Sequence, residues 1–274
     1  MPNRMLPSRG YDRSTALLSR SNLHNPLRDF LKDLARRDRV VFYNDFKDRN
    51  DVNNWTMAQT QTSVNFTHAA DQVGVMAGTA VGVTTASISM ITKDPFRGNA
   101  NVFFEGRFKI NTVASTFIIE FGLVDAAPTT GASFVSDIDT PAFTGTNGAV
   151  FGIWNNQTHT SIAFASVGSF TSQTVASTLI TAASAGFTTP VADTYITASL
   201  LLLTDPGETG KTKVYGWVNG VLRARHELTA GAVNGQANLF GWFYCQAVAA
   251  SAKIPTIDYV YGAQDRSELE AALE

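Results

Sequence analysis

Apolar and polar residues alternate with a period of two along much of this chain, beginning at Arg39-Val-Val-Phe-Tyr-Asn-Asp-Phe46. In the next clear run, Val102, Phe104, Phe108 and Ile110 line one face while Phe103, Glu105, Arg107 and Lys109 line the other. Thr116–Val124 places Phe117, Ile119, Phe121 and Leu123 on a core side. Further runs follow at Ala149–Trp154, Ser161–Ser166, Tyr195–Leu203, Lys213–Val218, Val221–Leu228, Asn238–Val248 and Pro255–Tyr261. Asn219-Gly220 joins two of them and is the strongest short-range hairpin signal. Many strands separated by Gly/Asn/Thr loops predict an antiparallel β-sandwich. The Thr/Gly/Ser/Ala-rich stretches 126–148 and 167–193 read as loops, the first a long one at the rim.

The first residues follow another pattern. Residues 1–24 hold Pro, Gly, Ser and scattered Arg without apolar periodicity and read as an extended arm. Asn25 is a good N-cap and Pro26 suits a first helical position. Leu27, Phe30, Leu31 and Leu34 then recur at helical spacing, with Arg28, Lys32, Arg36 and Arg37 on other faces, predicting a short amphipathic helix over 26–37. The expected division is therefore a basic arm plus helix (1–39), a β-sandwich (40–262) and a polar tail (263–274).

Charge sharpens this division. Residues 1–39 hold nine Lys/Arg and four Asp/Glu, a net of +5; the remaining twelve and nineteen give −7, and the chain sums to −2. A basic arm with an apolar stripe reads as an anchor, with guanidinium groups suited to an acidic protein surface. Nucleic acid is not the expected partner, because the body is acidic and the arm lacks interleaved aromatics. No run approaches the roughly 18–20 apolar residues of a membrane span, and no secretory signal is evident, so a soluble protein made in a cytoplasm is expected. The single cysteine, Cys245, lies in an apolar run and reads as a small buried hydrophobe.

The chain-closing residues carry a resemblance. Lys213-Val-Tyr-Gly-Trp-Val-Asn219-Gly220, followed by Ile257-Asp-Tyr-Val-Tyr261, resembles the closing strands of the concanavalin A-like jelly roll. With Val102-Phe-Phe-Glu-Gly-Arg-Phe108 and Phe121-Gly-Leu-Val-Asp125, residues 40–262 look like the laminin-G/concanavalin-like structural proteins of tailed bacteriophages. The resemblance implies an all-β concanavalin-like jelly roll on a virion, as a capsid decoration or fibre protein synthesised in the host cytoplasm. The expected partner is a major capsid or other virion protein, contacted through Leu27, Arg28, Phe30, Leu31, Leu34, Arg36 and Arg37. A homo-oligomer is expected, with a trimer favoured. The alternative is a carbohydrate-binding fibre or adhesin domain.

Glycosidases of this fold carry paired carboxylates at alternate positions of one strand; the pattern Glu-x-Asp-x-(x)-Glu is absent, and no enzyme is expected. Glu105 and Glu120 are single carboxylates, expected to face solvent. Asp137 and Asp139 have the i, i+2 spacing but sit in a Ser/Thr/Pro loop. Asp45, Asp48 and Asp51 lack the pattern of a calcium loop. His24, His68, His159 and His226 are too scattered for a metal, and no cofactor is expected. Gly207–Thr212 imitates a phosphate loop but leads into a strand, so it reads as a turn. The aromatics Tyr215 and Trp217, and Phe240, Trp242 and Tyr244, admit three readings: core packing, a subunit contact, or a glycan-stacking platform. Core packing is preferred, since aromatics fill cores before they mark binding sites.

Overall fold

The computed structural model describes residues 39–46, 54–60, 66–68, 75–78, 86–97, 101–111, 117–128, 130–137, 142–154, 162–167, 190–204, 212–228, 238–248 and 254–265. All but Arg39 belong to one compact unit, Val40–Glu274. The helix expected at 26–37, with Leu27, Arg28, Phe30, Leu31, Leu34, Arg36 and Arg37, lies outside the described residues, as do His24, His159, Asp48, Asp51 and Asp139.

Every regular element among the described residues is a strand. In chain order they are β1 (Arg39–Asn44), β2 (Trp55–Gln59), β3 (Phe66–His68), β4 (Met76–Gly78), β5 (Ser87–Thr92) and β6 (Phe96–Arg97). Then come β7 (Val102–Ile110), β8 (Phe117–Val124), β9 (Val135–Asp137), β10 (Ala142–Phe143), β11 (Gly148–Trp154) and β12 (Ala163–Val167). The last five are β13 (Ile196–Thr204), β14 (Thr212–Val218), β15 (Val221–Leu228), β16 (Asn238–Ala247) and β17 (Pro255–Asp265).

They form two layers. The first sheet runs β15-β14-β13-β7-β17-β4-β3, with β1 added to β17; the second runs β12-β11-β8-β16-β5-β2, with β6 added to β16. The central ladders are antiparallel. This is the expected all-β jelly-roll sandwich of concanavalin type.

The period-2 pattern explains the layering. Val102, Phe104, Phe108 and Ile110 of β7 face Phe117, Ile119, Phe121 and Leu123 of β8 across the interior, all buried. The rings interlock between sheets: Phe104 stacks on Phe121 at 5.0 Å, and Phe108 meets Phe121 at 5.5 Å and Phe243 at 5.6 Å. Offset and edge contacts of this kind add to the area they bury. Cys245 is buried in the same core. The hairpin is also as expected. Asn219 and Gly220 both have positive φ, at 50° and 76°, the pairing a two-residue I′ turn requires. Asn219 Oδ1 accepts the Thr197 amide at 2.9 Å and fastens the turn to β13.

Three expectations change. The stretch read as a long rim loop, 126–148, contains β9 and β10, which pair with each other and lie over the outer face of the second sheet. The last strand continues to Asp265, past the expected boundary at 262. Strands β2 to β6 occupy a region in which period-2 runs were not recognised, being only two to six residues long. One tight approach has a direct consequence. A Cβ at Gly122 of β8 would collide with the Ala149 carbonyl and with Val150 Cα, at 2.7 Å, on neighbouring β11. Backbone cannot give way as a side-chain tip does, so Gly122→Ala is expected to destabilise the fold by about 2 kcal/mol. A lowered calorimetric Tm checks it; an unchanged Tm contradicts the packing.

Candidate functional site

The outer face of the second sheet is closed. Glu120 of β8, expected in solvent, is 0% exposed. Its Oε1 accepts N–H bonds from Val135 at 2.9 Å and from the Trp154 indole at 3.0 Å. Its Oε2 accepts from Phe134 at 2.7 Å and from the Trp242 indole at 3.0 Å. Burial pushes this carboxyl above its ordinary value, and the four donors pull the other way. A carboxyl proton would have to point at one of four N–H groups, so the geometry suits the carboxylate. Asp125 anchors the far end of the β9–β10 segment, which straps this face. Its Oδ2 accepts from the Thr146 amide at 3.1 Å, the Asn147 amide at 2.8 Å and the Thr146 hydroxyl. Tyr244 donates to the Gly131 carbonyl at 2.9 Å.

Trp242 and Tyr244 stack at 5.8 Å and 11° beneath this strap, and Trp242 is 2% exposed. Tyr215 and Trp217 lie on the other sheet, stacked at 6.0 Å with Arg225 over the Tyr215 ring at 5.8 Å. Trp217 is 3% exposed. Of the five aromatics singled out from sequence, Tyr215 and Trp217 thus lie on β14 of the first sheet and Phe240, Trp242 and Tyr244 on β16 of the second, all buried but the half-buried Phe240. They do not assemble into one platform.

Tyr215 belongs to a wider aromatic face on the outside of the first sheet. Tyr43, Tyr195, Tyr215, Tyr259 and Tyr261 account for five of the chain's seven tyrosines and share it. Strand register explains the gathering. Thr197 and Tyr259 both sit opposite Arg107, and Ser199 and Tyr261 both sit opposite Glu105, so three strands present one polar-aromatic surface. Arg107 bonds Asp258 at 2.7 Å and lies 4.4 Å from the Tyr195 centroid. Lys109 approaches the same ring at 5.1 Å and Asp193 at 3.6 Å. Glu105 accepts the Ser199 hydroxyl at 2.6 Å and the Tyr259 phenol at 2.8 Å. Burial, with the Glu105 carboxylate beside it, raises the Tyr259 phenol well above its ordinary value; burial and Asp258 raise Tyr195. Both phenols therefore remain protonated donors. Tyr43, 59% exposed, leans on Tyr261 at 6.5 Å. This end of the sheet is the accessible one, with the Arg107 side chain 43% exposed.

In the sequence these residues stand singly: Glu105, Arg107 and Lys109 alternate along one strand, and Tyr259 and Tyr261 alternate in the last. Which strands would be neighbours was the missing information. The signal available was the same-face recurrence of tyrosine at 259 and 261 opposite a charged strand face.

The other candidates remain apart. Glu105 and Glu120 stand on different sheets and form no pair. Asp137 lies in β9, and among the described residues no group of His, Cys, Asp and Glu is placed to hold a metal. His226 points into the interior from β15, with Nδ1 on the Ser166 hydroxyl and the Phe164 ring at 5.0 Å.

The sandwich and its strand order define a class, the concanavalin-like jelly roll, and solved structures agree. No protein-family model and no curated protein matches the sequence. The carbohydrate recognition domain of Emp47p superposes with a TM-score of 0.55 at 13% identity, over 82% of this chain and 95% of that one. Peanut lectin gives 0.52 at 11%, over 82% and 97%. A protein of unknown function from Shewanella oneidensis MR-1 gives 0.51 at 15%, over 89% and 96%. Identities this low show the fold and nothing finer.

Proposed function

We propose that this domain is a non-enzymatic attachment module of lectin type whose ligand is carbohydrate. The observation that carries the reading is the partly exposed Tyr43/Tyr195/Tyr259/Tyr261 face, where aromatic rings alternate with fixed Glu105, Arg107 and Asp258. Rings offer flat apolar surface to the C–H side of a sugar, and interleaved charged groups bond its hydroxyls. The fold is one that solved lectins and carbohydrate recognition domains share, which supports the class of ligand without identifying it. Catalysis has no support from carboxylate pairing: Glu120 has its oxygens occupied, Glu105 holds the Ser199 and Tyr259 hydroxyls, and Asp258 is engaged by Arg107.

Capsid decoration rests on the phage resemblance and on the Leu27/Phe30/Leu31/Leu34 stripe, which lies outside the described residues. Carbohydrate recognition draws on both the face and the fold, and is preferred. The full chain applied to a glycan array is expected to bind a restricted set of sugars. A uniformly blank array, or turnover of any bound glycan, overturns the reading.

A further inference from the structure

Building on the carbohydrate reading, we propose that the tyrosine face takes a neutral oligosaccharide laid across the strands, from Tyr43 to Tyr195, rather than a single sugar or an acidic glycan. Placement comes first. Tyr43 belongs to β1, Tyr259 and Tyr261 to β17, and Tyr195 stands at the entrance to β13, with β7 between them. Three strand spacings, about 14 Å across the sheet, separate the strands of the outermost rings, and the rings are also offset along the strands, since Tyr195 adjoins the residue opposite Phe108 while Tyr261 lies opposite Glu105. That span exceeds one pyranose ring and matches a short chain crossing the sheet.

Charge decides the sugar class. Arg107 is compensated by Asp258 and Lys109 by Asp193, while Glu105 is bonded only to hydroxyls. These five groups sum to −1, and Arg225, over the Tyr215 ring farther along the face, brings the total to 0, so the six leave no surplus positive potential to attract sulfated or uronic chains. The polar groups that remain useful are a carboxylate acceptor and a half-exposed guanidinium, which suit neutral hydroxyl pairs.

Rigidity decides that the face is a binding surface rather than loose side chains. Tyr195 is held by the Arg107 and Lys109 cations against its ring, and Tyr259 by its bond to Glu105. Side chains ordered in advance lose little entropy when a ligand arrives. Tyr43 is the one ring that presents most of its surface outward.

The test is calorimetric titration of the full chain with neutral gluco-, manno- and galacto-oligosaccharides of one to six units, with heparin as the polyanion. At least one neutral series is expected to bind, with affinity rising from one to about four units and changing less than about twofold between 50 and 500 mM salt. Tyr43→Ala and Tyr195→Ala are each expected to weaken binding about tenfold, and Tyr195→Phe, which keeps the ring, less than about threefold. Tyr43→Ala lies at an exposed position and leaves the fold intact, so it reads the surface even where Tyr195→Ala misfolds. Sugar binding untouched by Tyr43→Ala and equal for one and four units overturns the face as the site while the lectin reading stands. Preference for heparin with steep salt dependence overturns the neutral class. Absence of binding to every sugar overturns both.

Discussion

Replacing Glu120 by alanine is expected to lower the unfolding free energy by about 4 kcal/mol or more, the largest single-residue effect outside the aromatic core. The residue is one acceptor serving four donors, two backbone amides of the strap and two indoles of the sheet. Its removal leaves all four buried and unpaired, and each such group costs about 1–3 kcal/mol. Glu120→Gln keeps the shape but turns an NH2 toward two of those donors, so an intermediate loss is expected. Chemical denaturation checks both: the midpoint should fall while the slope stays near wild type, unless the strap itself detaches, in which case Trp154 and Trp242 fluorescence shifts before the global transition. A midpoint within error of wild type for the alanine variant contradicts the role assigned to this carboxylate.

The second large effect is an acid-side loss of stability from His226. The imidazole is 6% exposed, and burial lowers its pKa from 6.5 to about 4. Its Nε2 has no hydrogen-bond partner. Between those two values the unfolded chain binds the proton and the folded chain does not. The unfolding free energy therefore falls as pH drops through that window, by up to about 3 kcal/mol at its lower end. Glu120 acts with the opposite sign, since its raised folded pKa favours the folded state as pH falls. The informative quantity is accordingly the difference between wild type and His226→Phe. That variant loses the Ser166 bond at every pH, which shifts the baseline, but it should flatten the profile between pH 6.5 and 4. Parallel profiles for the two proteins contradict the assignment.

These two residues show where reading from sequence succeeded and where it stopped. In β7 and β8 the alternation named the buried side correctly, residue by residue, because a strand offers only two faces and one must be covered. The same reasoning placed Glu120 among outward positions of β8, which it is, and inferred water there. What removed the water was the strap of β9 and β10, three and two residues long, in a Thr/Gly/Ser-rich stretch whose composition carries no period. A short strand held by side-chain bonds to a distant carboxylate leaves almost no local signature. Trp242 and Tyr244 were ambiguous for that reason, apolar on both faces of β16 with no visible second layer. His226 was unreadable alone, since a histidine's burial depends on Phe164 and Ser166, some sixty positions earlier.

The candidate face divides in the same way. Tyrosines at 43, 195, 259 and 261 are scattered over more than two hundred positions and become neighbours only because β1, β17, β7 and β13 are adjacent in the sheet.

The amino-acid order alone determined the layer architecture, the inward sets of β7 and β8 and the positive-φ hairpin at Asn219-Gly220, because those depend on the strand period and on local backbone sterics. Tertiary structure decided which strands stand side by side, what covers the second sheet, and which charges and rings meet on the first. Those outcomes depend on pairings between residues far apart in the chain, whose formation releases free energy that no single segment contains.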